Sequence, residues 1–353
     1  MSVPNSGLPR LPNHSHHTTT TNTYTLHQHS LPMAQQHNSG IPQQQDILND
    51  SPPHTSTVMS LPAHKIVEEI KNIHLALSKL PSLTPGPPIN ALLTRLVELC
   101  TRPYSKEFSE YIMNTQEAED LSAKLRPICG QAEGELESHW ARHILSTATT
   151  SNRSICACPL LIYLPITIQS NSDPASPALL TLFPYHDNYT DLSRLECSAL
   201  EAFLPSCSPT CRPMPCSIAF IGSGPLPLTS FCVLDRYPDA VVHNIDRDIE
   251  ALKLSDKVAK VTGYARRMRF VCEDVSLEND THGKIIGPAS KKEWMDAEVV
   301  FLAALVGMDT ASKSRILRAL AKGLRPGTLI VVRSARGLRG VLYPVSWEFV
   351  PLG

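Results

Sequence analysis

The sequence has little charge and almost none in excess. Charged residues make up 18%, and 32 Lys and Arg meet 33 Asp and Glu for a formal net charge of -1. That balance argues against an electrostatic nucleic-acid binder or a polybasic membrane anchor. Long apolar runs are also missing. The longest, Cys158 to Ile168, holds 11 residues and includes Pro159 and Pro165, short of the ~18–20 needed to span a bilayer. No basic stretch followed by an apolar one opens the chain, so no secretory signal is read and a soluble, cytoplasmic protein is expected. The ten cysteines lack paired CxxC knuckles: Cys156-Ala-Cys158 and Cys207-x3-Cys211-x4-Cys216 do not have structural-zinc spacing. Reduced, unpaired thiols and no bound metal are expected. Glycine is scarce beside proline, 16 against 30, which with the sparse charge implies that part of the chain does not fold. What is present, 42% hydrophobic residues over 353 positions, is enough for a core and about two domains.

Residues 1–60 carry seven of the 14 histidines and only three charges, Arg10, Asp46 and Asp50. Their apolar residues have no period, so they cannot bury enough surface to offset ordering, and a disordered His/Gln/Thr/Pro-rich tail is expected. From Leu61 the pattern turns helical. Ile66, Ile70, Ile73, Leu77 and Leu80 form one stripe. Asn90 is a candidate N-cap before Leu92, Leu93, Leu96 and Val97. A third helix is expected from about 116 to 147, with Pro127 a break or kink. Residues 150–182 read as a loop or insertion, 185–204 as helix and 205–216 as a linker. The helical unit thus spans 61–204.

Beyond Ser217 short apolar strands alternate with helices. Strands are expected at 218–221, 240–245, 268–272, 298–302 and 328–332, with helices at 227–236, 249–261 and 310–322. This is α/β grammar for a doubly wound parallel sheet over 217–353. Ligands bind such sheets beyond the carboxyl ends of the strands. The first strand ends in Gly222-Ser223-Gly224-Pro225-Leu-Pro227-Leu-Thr229. Asp246 and Asp274 close the next two strands, where one carboxylate can take ribose hydroxyls and the other an adenine amino group. Pro225 and Pro227 remove two N–H groups that a pyrophosphate would use, so a nucleoside without one, S-adenosylmethionine (SAM), fits better. Turn glycines and capping aspartates are the plainer alternative. Two further clusters stand out. Glu133 and Glu137 share a helix face at i, i+4, a like-charged pair that wants a cation opposite it or a solvated face. Tyr185 and Tyr189 place two phenols before the α/β part, which on their own read as packed and hydrogen-bonded.

Six strings together resemble the nicotianamine synthase family, of a fungal type: GQAEGELESHWA (130–141), FPYHDNYTDLSRLE (183–196), FIGSGPLPLTS (220–230), NIDRD (244–248), VVFLAALVGMD (299–309) and RSARGLRGVLYP (333–344). They run in the family's order over roughly residues 66–350. The resemblance implies a helical domain capping a Rossmann-like SAM domain. It also implies transfer of the 3-amino-3-carboxypropyl group of three SAM molecules to give nicotianamine and methylthioadenosine, and thereby metal chelation and homeostasis. Glu137 and Tyr189 match the family's catalytic pair, with Glu133 a second carboxylate. Gly222, Ser223, Gly224, Pro225, Thr229, Asp246, Asp274, Ala303 and Leu305 would seat SAM. Tyr185, Arg333, Arg339 and Tyr343 would recognise the substrate, since Arg forks onto carboxylates. The partner implied is SAM alone, with no nucleic acid or membrane. The alternatives are an ordinary SAM-dependent methyltransferase or an inactive SAM-binding regulator. The chain stops at Pro351-Leu-Gly353, where an antiparallel strand pair is expected to follow, so the last strands are expected to be missing.

Overall fold

The structure, a computed structural model, describes residues 60–156, 176–207, 214–276, 284–286 and 291–344. The expectations for the tail up to residue 59, most of the 150–182 stretch, half of the 205–216 linker and the last nine residues lie outside the described residues. Four helices come first: α1 (Leu61–Ser78), α2 (Pro87–Thr101), α3 (Lys106–Met113) and α4 (Gln116–Cys156). The α1 stripe buries Ile70, Ile73 and Leu77 as the spacing required. Helix α2 begins earlier than expected. Pro87 and Pro88 occupy its first turn behind Gly86, where a missing N–H costs nothing. Asn90 therefore lies inside the helix and its side chain accepts from Gly86 N–H. Helix α3 was not foreseen; Ser105 caps it by accepting from Phe108 N–H at 3.1 Å. Nor does Pro127 break α4, which runs through it for 41 residues. One lost backbone bond is outweighed because Leu121, Leu125, Cys129 and Ala132 on either side are buried.

Helix α5 (His186–Cys207) leads to the sheet: β1 (Ser217–Ile221), α6 (Leu228–Arg236), β2 (Val241–Asp246), α7 (Ile249–Thr262), β3 (Met268–Cys272), β4 (Lys284–Ile286), α8 (Lys291–Met295), β5 (Val299–Leu302), α9 (Thr310–Gly323) and β6 (Leu329–Val332). The strand order is β4-β3-β2-β1-β5-β6. Five strands are parallel and β4 joins β3 antiparallel. The expected five-strand parallel sheet thus gains an antiparallel edge, which three residues are too few to announce in sequence. Both faces are covered. Ile218 and Phe220 pack with α5, α6 and α7, while Ala219 and Ile221 pack with α8 and α9, which is why these strands read as continuous apolar runs.

Packing does not follow the expected boundary at 205–216. Ala141 and Ile144 of α4, with Cys197 and Leu200 of α5, belong to the sheet's core. Conversely Leu338, Val341 and Leu342, beyond β6, are buried with α1 to α4. The chain crosses between the two cores at both ends because α4 is long enough to serve each.

Candidate functional site

The register sets the site. Ile221 pairs with Ile245 and Leu302, Asp246 with Cys272, and Leu302 with Val332. The five parallel strands therefore end level, and Gly222, Asp246, Glu273-Asp274, Ala303 and Arg333 emerge along one edge. Order reverses between β2-β1 and β5-β6, the switch point where such sheets bind ligands. Helix α4 crosses above it. A cavity of about 970 Å³ lies between, and every expected site residue except Tyr185 and Arg339 lines it.

Two glycines shape its floor. Gly222 and Gly224 have φ of 81° and 67°, which disfavours any side chain. A Cβ on Gly222 would lie 2.5 Å from Val306 Cγ2, and one on Gly224 the same distance from Glu137 Oε2. The Glu137 carboxylate is thus laid directly on the β1 turn. Asp246 accepts from Gly224 N–H and Asp248 N–H, each at 2.9 Å, leaving the outer lone pairs to the cavity. Ser223 Oγ is buried with no hydrogen-bond partner among the described residues. A native orphan hydroxyl needs a partner, and Ser223 lines the cavity. Asp274 accepts from Ser276 N–H and Oγ–H, and Thr229 receives a bond from Arg333.

Tyr189 Oη–H points to Glu137 Oε1 at 3.5 Å, a separation that can tighten when substrate enters. One turn along α4, Glu133 Oε1 accepts from Tyr343 Oη–H at 2.6 Å. Among the described residues neither carboxylate has an ion-pair partner; each is bonded by a phenol. Burial, then Glu133 and Asp246, push the Glu137 carboxyl well above its ordinary value, against the opposing bonds from Tyr189 and Leu226 N–H. Burial pushes Glu133 up to about 7, with Tyr343 opposing. Tyr189 is held well above its ordinary value by burial and the two glutamates, so at neutral pH it is a donor.

The Glu133 shift carries a sign. Its folded value lies above the unfolded 4.5, so the folded form keeps a proton that the unfolded chain releases, and the site costs stability as pH rises from about 4.5 through 7. Glu133→Gln should therefore match the parent in melting temperature at pH 4 and exceed it at pH 8. An equal difference at both pH values would refute this.

Two expected substrate residues lie elsewhere. Tyr185 stands edge-on to Phe183, centroids 5.5 Å apart, half-buried against the sheet's core. Arg339 lines a different cavity, beside α3, because the turn 337–341 packs against α2, α3 and α4 and carries it toward the N-terminal part of α4. Arg333 lines the site, but its Nε and Nη2 are spent on Glu196 at 2.8 and 2.9 Å and on Thr229, so it anchors the wall and does not offer that fork to a ligand. Three residues that support the site were not foreseen. Lys313 donates to Ala303 O, Ala304 O and Arg333 O, joining the loops after β5 and β6, and burial lowers its amine to about 7. Its signal was present: it continues the buried Ile316–Leu320 stripe of α9. Arg126 ties α4 to Met308 O and Gly340 O. Glu196 sits on the buried Ser193–Cys197–Leu200 face of α5.

The lining is strongly acidic. Eight carboxylates, among them Glu133, Glu137, Asp246 and Asp274, face three arginines. Such a cavity suits a cationic ligand with hydroxyls.

Comparison with known proteins agrees with this geometry. Residues 59–154 and 166–348 match the profile of a family described as nicotianamine synthase protein. The chain is 35% identical over 283 residues to nicotianamine synthase 3 of Oryza sativa subsp. indica, covering 80% of this chain and 69% of that protein. It is 35% identical over 285 residues to nicotianamine synthase of Solanum lycopersicum, covering 80% and 75%. Among solved structures, a glutamate-to-glutamine mutant of MtNAS in complex with S-adenosylmethionine superposes with a TM-score of 0.55 at 20% identity, covering 81% of this chain and 88% of that one. MtNAS in complex with MTA and tNA gives 0.57 at 18%, covering 82% and 89%. These two show a shared fold.

Proposed function

The chain belongs to the nicotianamine synthase family, and from that premise we propose that its acidic cavity transfers the 3-amino-3-carboxypropyl group of SAM, three times over, to build nicotianamine. One observation carries the proposal: Glu137 from the helical part and Tyr189 from α5 meet on the Gly224 turn of the SAM-type sheet. The turn and Asp246 alone would serve any SAM-binding site, whereas alkylation of an ammonium also needs a positioned proton acceptor.

The residues divide the work. Gly222 and Gly224 let the ligand approach the backbone, Ser223 Oγ supplies a hydroxyl without a partner, and Asp246 holds the ribose. The carboxylates attract the sulfonium and ammonium of SAM. An acceptor ammonium must lose a proton before its nitrogen can attack the carbon beside sulfur. Glu137 takes that proton, and burial raises its basicity toward the task. The new C–N bond forms as the C–S bond breaks. The electron pair goes to sulfur, which leaves as the neutral thioether methylthioadenosine. Tyr189 donates to the carboxylate and fixes the line of approach, while Glu133 and Tyr343 hold a second amine one helical turn away. Closure of the last portion gives the azetidine ring. The product, an aminocarboxylate, would chelate iron, nickel, zinc or copper, and on that chemistry we propose a role in metal homeostasis.

Purified protein incubated with SAM alone should yield methylthioadenosine and the mass of nicotianamine. S-adenosylhomocysteine formed from added acceptors, with no nicotianamine, would replace the proposal with methyl transfer. Separately, Asp246→Asn should weaken SAM binding by at least about tenfold in calorimetry, the order of one charge-assisted hydrogen bond. Unchanged affinity would remove Asp246 from the ribose.

A further inference from the structure

Further toward the N-terminal end of α4 lies a second cavity, of about 1070 Å³, that the proposed reaction does not use. Its electrostatic character is the reverse of the first. Arg102 from the end of α2, Lys106 from α3, Arg126 from α4, and Arg336 and Arg339 from beyond β6 converge on it, against Glu110, Glu119 and Asp309. Those three carboxylates are already engaged. Glu110 pairs with Lys106 at 3.8 Å. Asp309 accepts from Ser312 N–H and Oγ–H as the cap of α9, and together with Glu119 it offsets Arg126. The surplus positive charge rests on Arg102 and Arg336, both exposed. Neither side chain has a hydrogen-bonded or ion-paired partner among the described residues.

A second observation points the same way. Tyr104 lines this cavity, and its hydroxyl is buried with no hydrogen-bond partner among the described residues. A buried phenol normally finds one. An anion held by the arginines would supply an acceptor.

We propose that this cavity is a binding site for a small organic polycarboxylate, separate from the SAM seat. Planar guanidinium forks match carboxylates in pairs. The cations come from four separate stretches around a volume much larger than one phosphate fills, so several carboxylates on one carbon skeleton suit it. Met113, Pro103 and Leu338 in the lining give that skeleton an apolar bed. The inference stands on its own lining and survives even if the proposed reaction fails.

Citrate, which has no amine or sulfonium, is the probe, titrated calorimetrically into the full chain with and without saturating SAM. Binding should be the same in both conditions. Arg102→Ser and Arg336→Ser should each weaken citrate by at least about tenfold, the order of a lost charge-assisted hydrogen bond, with melting temperature and SAM affinity unchanged. Inorganic phosphate should bind more weakly than citrate. No citrate binding, displacement of citrate by SAM, or affinity indifferent to both substitutions would overturn the site. Phosphate binding as tightly as citrate would overturn the polycarboxylate assignment.

Discussion

Glu137→Gln should leave SAM affinity within about threefold of the parent and lower product formation by at least ~100-fold, the lower end of what a positioned proton acceptor supplies. The amide keeps the size and both contacts of the side chain, the bond from Tyr189 and the bed on Gly224, but it cannot take a proton. Because the carboxylate touches the turn that holds the ligand, a substitution that changed its volume would confuse binding with chemistry; glutamine does not. Tyr189→Phe should act more mildly and in the same direction, since a donor to the carboxylate is lost while the acceptor remains. Single-turnover product formation, measured beside SAM calorimetry, separates the steps. Parent-like turnover in Glu137→Gln would end the assignment of Glu137.

The second large effect is on stability. Arg333 and Glu196 are 7% and 2% exposed and joined by two bonds, 2.8 and 2.9 Å long. Among the described residues, Glu196→Ala leaves the buried guanidinium with Thr229 Oγ1 and the face of Phe220, 5.3 Å from its centroid. Breaking one side of such a pair costs about 3–5 kcal/mol, seen in a denaturant titration as a lower midpoint. The double variant Glu196→Met with Arg333→Met removes both charges and should recover most of that loss. Equal destabilisation in the single and double variants would mean that packing, not charge, holds the joint.

The sheet was legible because buried parallel strands are short apolar runs ending in punctuation: Ile221 before Gly222, Ile245 before Asp246, Leu302 before Ala303. Since parallel strands end level, residues read at those ends had to fall on one edge, and Asp246, Asp274 and Ala303 do. Glu133 and Glu137 were legible through helical spacing alone. The arginines were not. Arg333 looked available because its partner, Glu196, is 137 positions away, and no local pattern announces a charge that will be neutralised across the fold. Arg339 depended on which way a five-residue turn carried it. Tyr185 and Tyr189 were equal as sequence, but α5 starts at His186. Tyr189 therefore rides on the helix toward the cavity, while Tyr185 precedes it and packs on Phe183.

Helix α4 has a consequence of phase. Its 41 residues form a rod about 60 Å long at the usual rise, locked into the helical core by Leu125 and Ala132 and into the sheet's core by Ala141 and Ile144. Glu133 and Glu137 lie between these two clamps. Deleting one residue between the clamps would leave both cores with their own sequences, yet it would turn the far half of the rod by about 100°. The carboxylates could then face the cavity only if one core surrendered its stripe. Spacing along α4 is thus constrained as tightly as the identity of the residues it carries.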